Sequence, residues 1–218
     1  LHLDAANVKS YPGSGTAWND ISSSRLSASI NNAITFNNGA FVYDGTPNVT
    51  TSLTFNSSQF INTSYTWFAW VLGIQGGSGA ALNMPAIGYG SGSWSRLGFR
   101  YTGTNWVFSA YNGNGPPLTT DVSIGSASTT NWIQLCAVAN TSGSSIRTYR
   151  NGAFVAQGTL VDTTGSGNLF GIGVSGETFT GWNANFSGRI SLVSVYNRAL
   201  NDTEILQNFE AYRGRYGI

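Results

Sequence analysis

The chain has 218 residues, with ten Lys plus Arg against nine Asp plus Glu, and charged residues make up only 9% of it, against roughly 25% in an average soluble domain. Such a balance leaves no electrostatic footprint for phosphate backbones or anionic lipid and argues against nucleic-acid binding. No segment approaches the roughly 20 consecutive apolar residues of a bilayer-spanning helix, which argues against membrane insertion.

Apolar residues at 41% and aromatic residues at 13% supply enough side-chain surface for an extended two-layer core. Gly, Ser, Thr and Asn fill the positions that Lys and Glu usually hold, so ordering this surface against a partner or a sugar costs little side-chain entropy. The single cysteine, Cys136, lies in the apolar run from Trp132 to Val138 and reads as a buried strand residue, not a nucleophile. It has no partner for an internal disulfide. The sequence opens on Leu1 rather than Met, as a processed chain or a fragment of a longer polypeptide does, and both remain open.

Short β-rich runs between Gly, Asn, Ser and Pro clusters recur almost to the end of the chain, the pattern of an antiparallel sandwich. Expected strands are Leu1–Asp4, Ala33–Phe36, Ala40–Tyr43, Thr51–Phe55, Tyr65–Ile74, Ala86–Tyr89, Leu97–Tyr101, Trp106–Tyr111, Trp132–Ala139, Ser145–Arg150, Ala153–Gly158, Leu169–Val174 and Arg189–Asn197. About a dozen strands make two sheets of six. Gly76–Ala81 reads as a mobile loop. Asn38-Gly39 and Asn151-Gly152 are signatures of two-residue type I′ hairpin turns. The run Tyr65–Leu72 is apolar at both alternating sets of positions, so it is expected as a central strand covered on both faces.

Helical signals come only at the end. Asn201 is placed as an N-cap, Glu204 as its capping-box partner, and Leu200 as a staple to Ile205. The helix is expected to run to about Arg213, with Ile205, Leu206, Phe209 and Tyr212 on its apolar face and Gly214 ending it. The whole reads as an all-β chain, a two-sheet antiparallel β-sandwich with one short C-terminal helix, in a single domain over residues 1–218.

Several segments carry a family likeness. Leu1-His2-Leu3-Asp4-Ala5-Ala6-Asn7, Ser10–Thr16 and Trp18-Asn19-Asp20 resemble the start of laminin G-like, concanavalin A-like jelly-roll domains of bacteriophage structural proteins. Phe41–Gly45 and Tyr149-Arg150-Asn151-Gly152 look like the family's strand-turn element and hairpin. Gly188–Ser191, Val195–Leu200, Glu204-Ile205 and Asn208-Phe209 look like its last strand and helix, and Arg213–Ile218 is similar to the end of such domains. The resemblance implies the jelly roll and a place on the outside of a virion, as a capsid-decoration, tail or fibre component. Other virion proteins would then be partners, and self-association, as a trimer for example, is expected because such appendages are symmetric. Fold does not name a ligand, so function rests on a site.

A glycosidase needs two carboxylates about 5 to 9.5 Å apart across the sugar bond. The only glutamates are Glu177, Glu204 and Glu210, with no closely spaced acidic run, and His2 is the only histidine. The chain is therefore expected to be non-enzymatic, without a catalytic triad or a histidine zinc site. Calcium is the one cofactor to weigh, through Asp121 and Asp162, both expected in loops; neither has a second acid nearby, so a solvated turn is the competing reading. Asp4, Asp20 and Asp44 are expected to hold local turns or backbone amides.

Sugar binding needs flat aromatic faces with neutral polar neighbours. Trp94 between two serines, Tyr111 followed by Asn112 and Asn114, and Trp182 with Asn183 offer that mixture and are the candidate glycan-binding residues. They serve equally as caps on the sandwich edge or contacts with a neighbouring subunit. Trp67, Trp70 and Trp132 sit in apolar strand patterns and are expected in the core.

Overall fold

A computed structural model of the chain describes residues 1–31, 34–44, 50–54, 63–73, 80–84, 96–102, 104–112, 118–160, 169–173 and 186–218. In chain order its strands are β1 (His2–Asp4), β2 (Ala17–Trp18), β3 (Ala28–Asn31), β4 (Thr35–Asn37), β5 (Ala40–Asp44), β6 (Thr50–Thr54), β7 (Tyr65–Leu72), β8 (Ala80–Met84), β9 (Arg96–Tyr101), β10 (Asn105–Asn112), β11 (Leu118–Ser126), β12 (Ile133–Asn140), β13 (Ser145–Arg150), β14 (Ala153–Thr159), β15 (Leu169–Ile172) and β16 (Ser187–Tyr196). Helix α1 (Asp202–Arg213) and a 3-10 turn at Gly214–Tyr216 follow.

The first sheet runs β14-β13-β12-β7-β16-β5-β4; β16 is long enough to pair β5 through Ser187–Ile190 and β1 through Leu192–Ser194. The second runs β11-β10-β9-β8-β15-β6-β3-β2. Neighbours are antiparallel in both, as expected for a jelly-roll sandwich. The described residues hold sixteen strands in two sheets of eight, more than the dozen expected.

Inward side chains of the two sheets interlock through aromatic rings. Trp67 of β7 meets Phe108 of β10 edge-on at 5.6 Å, and Phe41 of β5 meets Trp18 of β2 at 4.7 Å. Strand β7 alternates Tyr65, Trp67, Ala69 and Val71 into this core. Its other face is apolar because α1 and the turn after it cover it. Phe68 packs with Cys136, Tyr149, Leu200 and Ile205, and Trp70 stacks on Tyr216 at 4.0 Å and on Phe209 at 5.8 Å. Each such side chain contributes about 2 to 3 kcal/mol on burial. Trp132 is only partly buried and leans on Tyr216 at 4.9 Å.

Both Asn-Gly turns form as expected, with φ of 50° and 73° at Asn38-Gly39 and 50° and 75° at Asn151-Gly152. A β-carbon at Gly152 would sit 3.0 Å from Cβ of Phe209, so this turn also lies tight beneath α1. The capping box is complete: Asn201 Oδ1 accepts from Glu204 N at 3.0 Å, and Glu204 Oε2 accepts from Asn201 N at 2.9 Å.

Other expectations need correction. Gly214 caps α1 after Arg213 as expected, but in the right-handed region: a 3-10 turn follows, and the left-handed residue is Gly217 at φ 72°. Leu206 is 47% exposed instead of joining the buried face of α1. Ala80-Ala81 belong to β8, not to a loop, because β9 and β15 supply ladder partners for that segment. Strands β2, β3 and β11 arise where the sequence is too polar or too short to signal them. The strand expected at Ala33–Phe36 is displaced to Thr35–Asn37, and that expected at Ala86–Tyr89 lies outside the described residues.

Candidate functional site

The β13–β14 hairpin folds because its Asn-Gly turn closes the pair Arg150–Ala153, and its register places Arg147 opposite Gln157 and Tyr149 opposite Phe154. A bulge lies between Thr148 and Tyr149, leaving Val155 without a register partner. Ile146 faces the core, and Thr148 donates to Ser123 O of β11 at 2.6 Å, so both point inward. Alternation therefore sends Arg147 and Tyr149 outward, toward the start of α1.

There they meet Asp202. Arg147 grips it with a two-pronged pair, Nη1 to Oδ1 at 2.8 Å and Nη2 to Oδ2 at 3.2 Å. The Tyr149 hydroxyl donates to Oδ1 at 2.7 Å. These donors, Arg147 first, hold the Asp202 carboxyl below its ordinary range, and Asp202 in turn raises the Arg147 guanidinium. Burial, reinforced by the bond to Asp202, pushes the Tyr149 phenol well up. The Arg147 guanidinium lies 4.9 Å from the centre of the Phe154 ring, and Tyr149 meets that ring edge-on at 5.8 Å.

Phe154 nonetheless remains 50% exposed, and Gln157 beside it is exposed. A flat apolar ring, fixed on a rigid hairpin and bordered by a cation, a carboxylate and an amide, is able to stack a sugar and hydrogen-bond its hydroxyls. Sequence reasoning passed over this cluster. Its one signal was the uninterrupted apolar triplet Ala153-Phe154-Val155. A separate open depression of about 420 Å³, walled by Val8, Tyr11, Pro12, Phe36, Asn38 and Gly39, brings in only the Asn38 amide and the Tyr11 hydroxyl, which is bonded to Gly15 O, and no charge. It lacks the converging polar groups that orient a ligand.

Of the glycan and calcium candidates chosen from sequence, three are described: Tyr111, Asn112 and Asp121. Tyr111 and Asn112 end β10, with Tyr111 opposite Thr119 and Arg96 and Asn112 opposite Leu118. Asp121 is on β11, not in a loop. Its carboxylate accepts from Arg100 and from Ser109 Oγ at 2.6 Å, a tie across β9, β10 and β11. Trp94, Asn114, Asp162, Trp182 and Asn183 lie outside the described residues. Among the described residues, no three His, Cys, Asp or Glu side chains converge to hold a metal ion. Asp4 and Asp20 hold backbone amides as expected, Asp4 that of Ala6 and Asp20 those of His2, Ser22 and Leu26. Asp44 ends β5 opposite Ser187, and its turn partner Gly45 lies outside the described residues.

A family model described as the concanavalin A-like lectin/glucanases superfamily, of laminin G type, matches residues 44–206. The chain belongs to this superfamily. No curated protein matches its sequence. Solved structures similar to this concanavalin A-like chain include the binding domain of Paraclostridial Mosquitocidal Protein 1, at 15% identity and a TM-score of 0.70, covering 97% of this chain and 52% of that one. The botulinum neurotoxin serotype G binding domain is 14% identical with a TM-score of 0.70, covering 97% and 50%. Trypanosoma rangeli sialidase in complex with sialic acid is 20% identical with a TM-score of 0.68, covering 98% and 33%. At these identities the likeness establishes the concanavalin A-like fold. The chain spans about half the length of the toxin binding domains and a third of the sialidase.

Proposed function

We propose that this chain is a non-catalytic glycan-binding module on the surface of a bacteriophage particle, as a capsid-decoration, tail or fibre component. The observation that carries the binding half is the half-exposed Phe154 ring beside the Arg147–Asp202 pair. Structural work for six of the seven described acids supports the absence of catalysis. Asp4 pairs with Arg215, Asp121 with Arg100, Asp202 with Arg147, Glu204 with Arg198 and Glu210 with Arg213, while Asp20 collects serine and backbone donors. A general acid and a nucleophile must instead face a substrate.

The virion half rests on the laminin G-like segments at both ends and in the middle of the sequence, and on a surface poor in charge. Other capsid or tail proteins are the partners in this reading, and the module self-associates. A second reading, a carbohydrate-binding or adhesion module of a larger protein, is favoured by the coverage of only 50 to 52% of the toxin binding domains.

Two measurements test the proposal. Electron microscopy of purified particles with a labelled antibody against the domain should decorate their outer surface; absence of the protein from particles overturns the virion half. Retention of the isolated domain on a panel of immobilised polysaccharides should be found without release of reducing ends. Release of reducing ends would make it an enzyme.

A further inference from the structure

We infer that the hairpin site takes an uncharged pyranose and rejects acidic sugars, because Asp202 fills the end-on fork of the Arg147 guanidinium and sets its own exposed charge beside the N–H groups that remain. The inference rests on the glycan-binding reading and names the class of sugar. Both terminal nitrogens of Arg147 already donate to Asp202, in the side-by-side geometry that makes such pairs strong and directional. A ligand carboxylate cannot share that fork without breaking the pair. The Asp202 side chain is 61% exposed, so it would also face the incoming anion with its own charge.

Hydroxyls fit where a carboxylate does not. Asp202 Oδ1 accepts twice, from Arg147 and from Tyr149, and is saturated, whereas Oδ2 accepts once, from Arg147 Nη2. Oδ2 therefore keeps an acceptor site, and Nη2 keeps its second N–H beside it. An acceptor and a donor side by side suit two adjacent hydroxyls of a sugar, one donating to Oδ2 and the next accepting from Nη2. The same pyranose lays its apolar C–H face on the open side of Phe154, and the exposed Gln157, opposite Arg147 in the register, is a third polar contact. The pair is neutral as a unit, so the interaction is insensitive to salt.

The test is affinity electrophoresis of the full chain in gels containing dextran, mannan or agarose as neutral probes and hyaluronan or polysialic acid as acidic ones. At least one neutral probe should retard the wild type and neither acidic probe should. Phe154→Leu, which keeps apolar bulk but loses the flat face, should weaken retardation by tenfold or more with an unchanged melting temperature. Asp202→Asn should gain tenfold or more in retardation by hyaluronan or polysialic acid, abolished at 0.5 M NaCl, a gain that a misfolded variant cannot produce. Retardation of the wild type by an acidic probe, or neutral retardation unaltered in Phe154→Leu, overturns the inference and leaves glycan binding standing. Retardation by none of the five probes sinks both.

Discussion

Arg215, in the turn after α1, donates to Asp4 Oδ1 at 2.7 Å and so ties that turn to β1 across 211 residues of sequence. The two ends of the bond differ, with the Asp4 side chain 3% exposed and Arg215 37% exposed. Removing the cation strands a buried carboxylate, which costs more than the pair contributes. Arg215→Ala should lower stability by about 3 kcal/mol, the lower end of the range for broken buried pairs because Arg215 is partly solvated. Urea unfolding reads this directly. Adding Asp4→Asn should recover part of the loss, and strictly additive losses in the double variant would show the pair to be uncoupled.

Much of this fold was legible because its strongest signals are local. The type I′ turns at Asn38-Gly39 and Asn151-Gly152, the capping box of Asn201 and Glu204, and the two apolar faces of β7 each need only a few adjacent residues. The candidate site is the opposite case. Arg147 and Tyr149 meet Asp202 from 55 and 53 residues away, and nothing near Phe154 in sequence announces that α1 begins beside it. Asp121 looked like a loop acid for the same reason, since the partners that make it a strand residue, Arg100 and Ser109, lie on β9 and β10. Short edge strands such as β2 exist only through ladder bonds to β3, which no local pattern encodes.

Acid should loosen the start of α1 in a defined window. Hydrogen bonds from Arg198, and next from the Asn201 amide, lower the Glu204 carboxyl from its ordinary 4.5 to about 2. A carboxylate with a depressed folded-state pKa stabilises fully above its unfolded value and loses that contribution as pH falls through the folded value. The stability difference between the wild type and Glu204→Gln should therefore be constant above pH 4.5 and vanish as pH falls through about 2. Because Arg198 is exposed and Glu204 partly so, 0.5 M salt should shrink it throughout. Chemical denaturation at stepped pH checks this, and a difference that persists at pH 1.5 would contradict it.

Cys136 sits on β12, fully buried between Phe68 and Tyr149, and burial pushes its thiol up. Only the thiolate reacts with disulfide reagents at a useful rate. Native protein at pH 8 should thus react with such a reagent no faster than it opens, and the labelling rate should rise in urea in parallel with unfolding. Fast stoichiometric labelling without denaturant would place the sulfur at the surface.

Asp20 organises the segment before β3 by accepting five hydrogen bonds, from the amides of His2, Ser22 and Leu26 and the hydroxyls of Ser22 and Ser24. Burial alone would raise its carboxyl, but the donors, led by Ser24 and His2, outweigh burial and hold it well below the usual range. Asp20→Asn keeps the size and replaces one acceptor oxygen by an NH2 group, which must face amides or hydroxyls that were donating. An unsatisfied donor and a lost charge-assisted bond together cost about 3 kcal/mol. For a chain of this length that corresponds to a fall in melting temperature of about 6 to 12 °C. Asp20→Ala should cost at least as much, since it removes every acceptor. A melting temperature within about 2 °C of wild type in the Asn variant would mean that water or a rotated serine replaces the carboxylate at no cost.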